Sequence, residues 1–375
     1  MRSYKDCLIE YVEERGFSEL SFSWFHYVKD TLNVSSQSFQ VLESIPPVED
    51  SSDISYYADI IPADCLVCHY QESNPRMRSN VYKILIRELV IAELKRFQLK
   101  NNDQQSNLKL SEDILRYSQS KEFSSYSKAF KRGLLESGFD KKNIKDYFLK
   151  LDAVESNYFK AIEKFHDIDN FNLNIPKYGV RSTTTIVRTL AIDFDSHCLY
   201  QGAENEWAEQ VVIPNSPFIS GDDSSLFFSI NSKAKMSPVK VSGELHGIEK
   251  TEIQTGNWFD EKMLNQLLGN DNKCFDSHLK LLFQQQVKKL LQKRFSSFYS
   301  FQEFDLTIEV HNDFTDEEIG FLRSNSFGLF PFHLSTQHEC YKWIDRNDEG
   351  DLRIRIKSKI PQQTFFCADI EMIMV

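Results

Sequence analysis

Glycine is scarce, with 13 in 375 residues against the ~7% of average composition. Neither GxGxxG nor GxxxxGK[ST] spacing occurs. Both loops need glycines where the backbone meets phosphate, which argues against a dinucleotide fold and a P-loop ATPase. Long apolar runs are missing as well, and no stretch approaches the ~20 residues that cross a bilayer. The opening stretch MRSYKDCLIEYVEERGF is broken by charge every few positions and holds no signal-peptide core. Positive charge is in deficit, since 44 Lys and Arg stand against 55 Asp and Glu, for a net −11. No overall field would gather a polyanion. Seven cysteines are an odd count without framework spacing, as expected of reduced thiols. A soluble, cytoplasmic protein is the expectation, with no membrane contact.

What is present is ordinary globular material: 41% apolar and 26% charged, in a chain long enough for two domains or one large one. Residues 1–32 suggest one or two short helices, and 33–55, rich in Ser, Pro and acids, suggest a loop. The clearest helix is Arg78 to Leu99, capped by Ser79 or Asn80. Two or three more helices fit 111–166, with Gly133 and Gly138 as breaks. Asn170 to Gly179, holding Pro176, reads as a boundary. Beyond it, strands are expected from Thr183 to Ile192 and at Val239–His246, Phe304–Val310, Leu352–Lys357 and 363–375, with helices at 258–268 and 276–299. The fold class predicted is α+β: a helical region over 1–175, then a mostly antiparallel β-rich region with one or two helices over 176–375.

The stretch nearest to chemistry runs from Thr183 to Ile230. Its β-branched run delivers Asp193 and Asp195 at i and i+2, which on a strand share one face about 7 Å apart. Gly221, Asp222 and Asp223 then sit between apolar flanks as a hairpin tip. Clustered carboxylates repel unless a cation lies between them, so Asp193, Asp195, Asp222, Asp223 and the later Asp305 are the candidate metal ligands, for Mg²⁺ or Mn²⁺. His246 would contact phosphate or move a proton. The order DxD, then Ser242 to His246, then Asp305 is similar to that of archaeo-eukaryotic-type primases; the motifs are short, and no family is assigned on them. Asp and Gly are also the commonest turn residues, which is the plainer explanation.

Two further motifs stand out. Cys65-Leu66-Val67-Cys68-His69 spells CxxCH, a haem-attachment spacing in exported proteins; zinc is the better functional alternative, with His333, His338 and Cys340 as distant donors, and the plainer role is that of two small apolar side chains packed under the following helix. Arg353, Arg355 and Lys357 form the one positive strip through which nucleic acid could bind, and a charged solvent face is its plainer role. Aromatic richness without a catalytic constellation leads to the principal expectation: a noncatalytic subunit or adaptor binding protein partners in an intracellular assembly, in an antiviral defence or mobile-element setting, and without cofactor. The alternative is a divalent-metal enzyme of nucleotidyl or phosphoryl transfer, primase- or nuclease-like, built on Asp193 and Asp195.

Overall fold

The β-branched run around Thr183–Val187 belongs to an 18-residue strand, β5 (Tyr178–Asp195), paired antiparallel along its whole length with β6 (Val239–Thr255). The computed structural model describes residues 19–34, 39–42, 48, 50–62, 67–68, 77–101, 126–150, 153–172, 175–196, 230, 233, 237–268, 288–324 and 339–373. Before β5 come α1 (Glu19–Leu32), β1 (Phe39–Leu42), α2 (Ser51–Asp59), β2 (Val67–Cys68), α3 (Arg78–Asn101), α4 (Tyr126–Glu136), α5 (Lys141–Leu149), α6 (Ala153–His166) and the two short strands β3 (Phe171–Asn172) and β4 (Ile175–Pro176). After β6 follow α7 (Glu261–Leu268), α8 (Lys288–Leu291), β7 (Lys293–Phe301), β8 (Glu303–Val310), α9 (Asp316–Ser324), β9 (Cys340–Arg346), β10 (Leu352–Ser358) and β11 (Thr364–Met372). Helices thus accompany a mostly antiparallel nine-stranded sheet, an α+β arrangement in which β1 and β2 make a parallel pair.

The sheet is built on long lines. β7 and β8 lie end to end against β6, broken at Gln302, whose N–H donates to the His246 carbonyl. β11 and β10 lie end to end against β7 and β8 in turn. β1 and β9 flank that outer line, each at one end. Alternation along these strands feeds two cores. Phe365 and Ala368 of β11, with Phe295 and Phe298 of β7, join the cluster made by α3 to α7. Phe366 and Cys367, with Tyr299 and Phe301, join a second cluster under α1 and α9. Neighbours that enter different clusters place the sheet between the two cores. Strands from both sides of residue 175 share the sheet, since β1 and β2 dock beside β11.

Four expectations change. Of the helix anticipated over 276–299, residues 276–287 lie outside the described residues, α8 is one short turn, and from Lys293 the chain is strand; Phe295, Phe298, Tyr299 and Phe301 are buried on both faces of the sheet, a setting that suits aromatic residues in strands. The loop anticipated over 33–55 contains β1, whose four residues are all buried, and the start of α2, which Asp50 and Asp53 close with a capping box. Neither Ser79 nor Asn80 caps α3: Arg78 is already helical, and the carboxylate of Asp59, twenty residues earlier, accepts from the Ser79 N–H at 3.0 Å. Gly133 is buried inside α4, and only Gly138, at φ +86°, breaks the chain.

Candidate functional site

Leu190, Ile192 and Phe194 of β5 are buried, and so are Val239, Val241 and Leu245 of β6, Leu306, Ile308 and Val310 of β8, Leu352, Ile354 and Ile356 of β10, and Ile344 of β9. Period-two alternation turns the intervening residues to the opposite side, which is open. The register gives that open face its rows. One runs Trp343, Arg355, Thr307, Ser242, Asp193 across β9, β10, β8, β6 and β5. The next runs Tyr341, Lys357, Asp305, Glu244, Ala191, and on the other side run Asp345, Arg353, Glu309, Lys240, Asp195.

Asp193 and Asp195 therefore share a face, as their spacing predicts. Asp305 shares it too, but two strand spacings away, about 10 Å across the sheet, and two residues further along. Its carboxylate is already held: Arg355 donates to both oxygens at 3.2 and 3.1 Å, and Lys357 reaches one at 3.0 Å. The bonds from Arg355 and Lys357 keep Asp305 below the usual carboxylate range. His246 sits at the bend of β6, with Nδ1 3.1 Å from the Thr189 hydroxyl and Nε2 3.4 Å from Glu244. Asp222, Asp223, Cys65, His69, His333 and His338 lie outside the described residues. Cys68 pairs with Leu42, and Cys340 opens β9 opposite Ser358. The Arg353, Arg355 and Lys357 strip is on an interior strand between β8 and β9, and its charges meet Asp345 and Asp305.

Two features of this end of the sheet were not read from sequence. The first is an exposed aromatic pair on β9: Tyr341 is 52% and Trp343 48% exposed, their rings stacked with centroids 5.8 Å apart. The Arg355 guanidinium lies 5.6 Å from the Trp343 ring centre, and Lys359 5.3 Å from that of Tyr341. No signal for it lay in the sequence, since Tyr341-Lys342-Trp343 by itself would put the rings on the covered face, whereas Lys342 and Ile344 occupy that side. The second is a donor group where His311, just past β8, meets Glu349 and Asp351 of the β9–β10 turn, with one ligand atom from each within 4.8 Å of the others. His311 Nδ1 is 2.8 Å from Asp351. Val310 pairs with Leu352, which brings together His311 and Asp351, forty positions apart. A His with two carboxylates is a donor set suited to a divalent transition ion.

Among the described residues, no helix is long and apolar enough to cross a membrane. The comparisons with known proteins return no family model, no curated protein and no solved structure that matches this chain.

Proposed function

We propose that the chain is a noncatalytic docking subunit, an adaptor within an intracellular multi-protein assembly. The observation that supports this reading is the exposed Tyr341–Trp343 pair with Arg355 beside it. Trp, Tyr and Arg are the residues that dominate binding energy at protein interfaces, because a rigid ring desolvates much area at little entropic cost. Of the neighbouring cations, Arg353 is engaged by Asp345, and Arg355 and Lys357 by Asp305, which favours a protein partner over the phosphates of a nucleic acid. Purified from its native host, the chain should carry a stoichiometric partner. Trp343→Ala should weaken that complex roughly thirtyfold, since truncating a hot-spot residue costs about 2 kcal/mol or more, while leaving the melting temperature close to that of wild type. A chain that emerges alone and monomeric counts against the reading.

A second reading, a divalent-metal enzyme of phosphoryl or nucleotidyl transfer, draws support from the His311, Glu349 and Asp351 group and keeps Asp193 and Asp195 as further candidates. Titrating Mn²⁺ in a thermal unfolding experiment separates them. At a hundredfold excess over Kd, binding stabilises by about 2.7 kcal/mol. On the metal reading that gain disappears in Asp351→Ala or in Asp193→Ala/Asp195→Ala, according to which group holds the ion. A flat response in wild type removes the reading.

A further inference from the structure

From Val180 to Thr189 the outer strand β5 reads VRSTTTIVRT. Nine of these ten residues are exposed, whichever way they point, with Val180 at 47% and Ile186 at 39%, and Val187 is half-buried. β6 occupies one edge of the strand, and no described residue pairs with the other. The free edge is closed at both ends. The Tyr178 N–H donates to the Ser55 hydroxyl of α2 at 3.1 Å, and the Tyr27 hydroxyl of α1 donates to the Ala191 carbonyl at 2.6 Å. Between those stops about 33 Å of backbone edge has no strand partner among the described residues.

Folded proteins usually blunt such an edge with proline, lysine, a bulge or a short strand. Here two register shifts interrupt the pairing with β6, one of them at Ile186, yet the stretch holds no proline or lysine, and every residue of its centre, Thr183 to Val187, is β-branched. Arg181 and Arg188 flank that centre, and the stretch contains no acid. Arg181, 74% exposed in its side chain, has Glu252 only at 4.0 Å, and Arg188 has no ion pair among the described residues. On a chain of net charge −11, this edge is locally cationic.

We propose that the free edge of β5 over residues 180–189 accepts an extended segment of a partner protein by strand addition, with acidic side chains at the ends of that segment facing Arg181 and Arg188. Main-chain hydrogen bonds supply the attachment, and the two arginines supply selectivity. A second copy of this chain fits poorly. The antiparallel register of fullest self-overlap, centred between Thr184 and Thr185, sets Arg181 opposite Arg188 twice, and opposed like charges destabilise a strand pair. Single-stranded nucleic acid would find arginines but no ring to stack on within the stretch. The inference rests on the docking role proposed above and assigns it a second surface.

The test uses a fluorescein-labelled decapeptide with a Thr-Val core and Glu at both ends, its Lys-ended twin, and a deca-deoxythymidylate, each titrated by anisotropy against the full chain. The Glu peptide should bind at least tenfold tighter than the Lys peptide. Arg181→Glu/Arg188→Glu should invert that preference, and Trp343→Ala should not change it. Methylating alternate amide nitrogens of the Glu peptide should abolish binding in one of the two possible phases and spare it in the other, since a strand pairs along one edge. Equal binding of the two peptides, indifference to the phase of methylation, or preferred binding of the oligonucleotide would overturn the proposal. So would a native partner lost on Trp343→Ala but kept by the double charge reversal, a result that would leave the docking role itself standing.

Discussion

Asp59→Ala should cost the folded protein at least about 3 kcal/mol, because three buried donors lose their acceptor at once and each orphaned donor costs about 1–3 kcal/mol. Asp59, 1% exposed at the end of α2, accepts from the Ser79 N–H, the Ser79 hydroxyl and the Tyr178 hydroxyl. It thereby ties α2 to the first turn of α3 and to the start of β5. Arg78, also fully buried, sends one N–H to the Leu291 carbonyl at 3.1 Å and stacks over Phe259. Burial pushes the Asp59 carboxyl up to about 6, outweighing the hydrogen bonds and the attraction of Arg78. The sign of the pH effect follows. An unfolded aspartate titrates near 4, so between about pH 4 and 6 the native state holds the extra proton. This group's contribution is fully present below pH 4 and is lost as pH rises through 6. Asp59→Asn keeps an acceptor and mimics the protonated acid. It should therefore cost far less than alanine and should flatten that part of the stability profile. Urea unfolding of the three proteins at pH 4.5 and 7 is the measurement. An asparagine variant with the wild-type pH slope would show that Asp59 does not titrate there, and an alanine variant within 1 kcal/mol of wild type would show that the donors find other partners.

Gly243→Ala should cost about 3–4 kcal/mol. Gly243 sits in β6 at φ +138°, and a Cβ there would lie 2.0 Å from the Asp305 carbonyl oxygen and 2.9 Å from the Leu306 Cα. Both obstacles are backbone, so β8 must move off β6, in addition to the ~1–3 kcal/mol of strain that such a φ imposes on an L-residue. That movement would pull on Asp305, and with it on the Arg355 and Lys357 contacts of the open face. Gly350 is the control: its φ is +90°, but nothing lies within 4 Å of the added carbon. Gly350→Ala should cost only the strain, about 1 kcal/mol. Denaturant midpoints for the two variants decide it, and equal losses would mean that the close approach to Asp305 contributes nothing.

Local pattern carried a good deal. The apolar repeat over Val81, Leu85 and Leu89 announced α3, in which Leu85 and Leu89 are buried and Val81 half-buried, while Ile84 stands 52% exposed. Alternation announced β8 and β10, and β-branched density announced the part of β5 that holds Asp193 and Asp195 on one face. Two segments misled. Leu290 and Leu291 continue an apparent helical spacing into Lys293–Phe301, yet the chain there is strand, because aromatic side chains buried on both faces override a period of 3.6. β1 was hidden as four buried residues among Ser, Pro and acids, too short to show a period.

From its sequence alone the chain determined its α+β class, its main helix and the strands whose side chains alternate, because a repeat of two or 3.6 needs only neighbours along the chain. Tertiary structure alone decided which residues meet. It set Arg355 and Lys357 on Asp305, two strands away from Asp193, and brought His311 to Glu349 and Asp351. Among the described residues it also left one edge of β5 without a partner strand. Strand order and register settle such meetings, and both follow from which long-range pairing buries the most apolar area, a property of the whole chain that no local window contains.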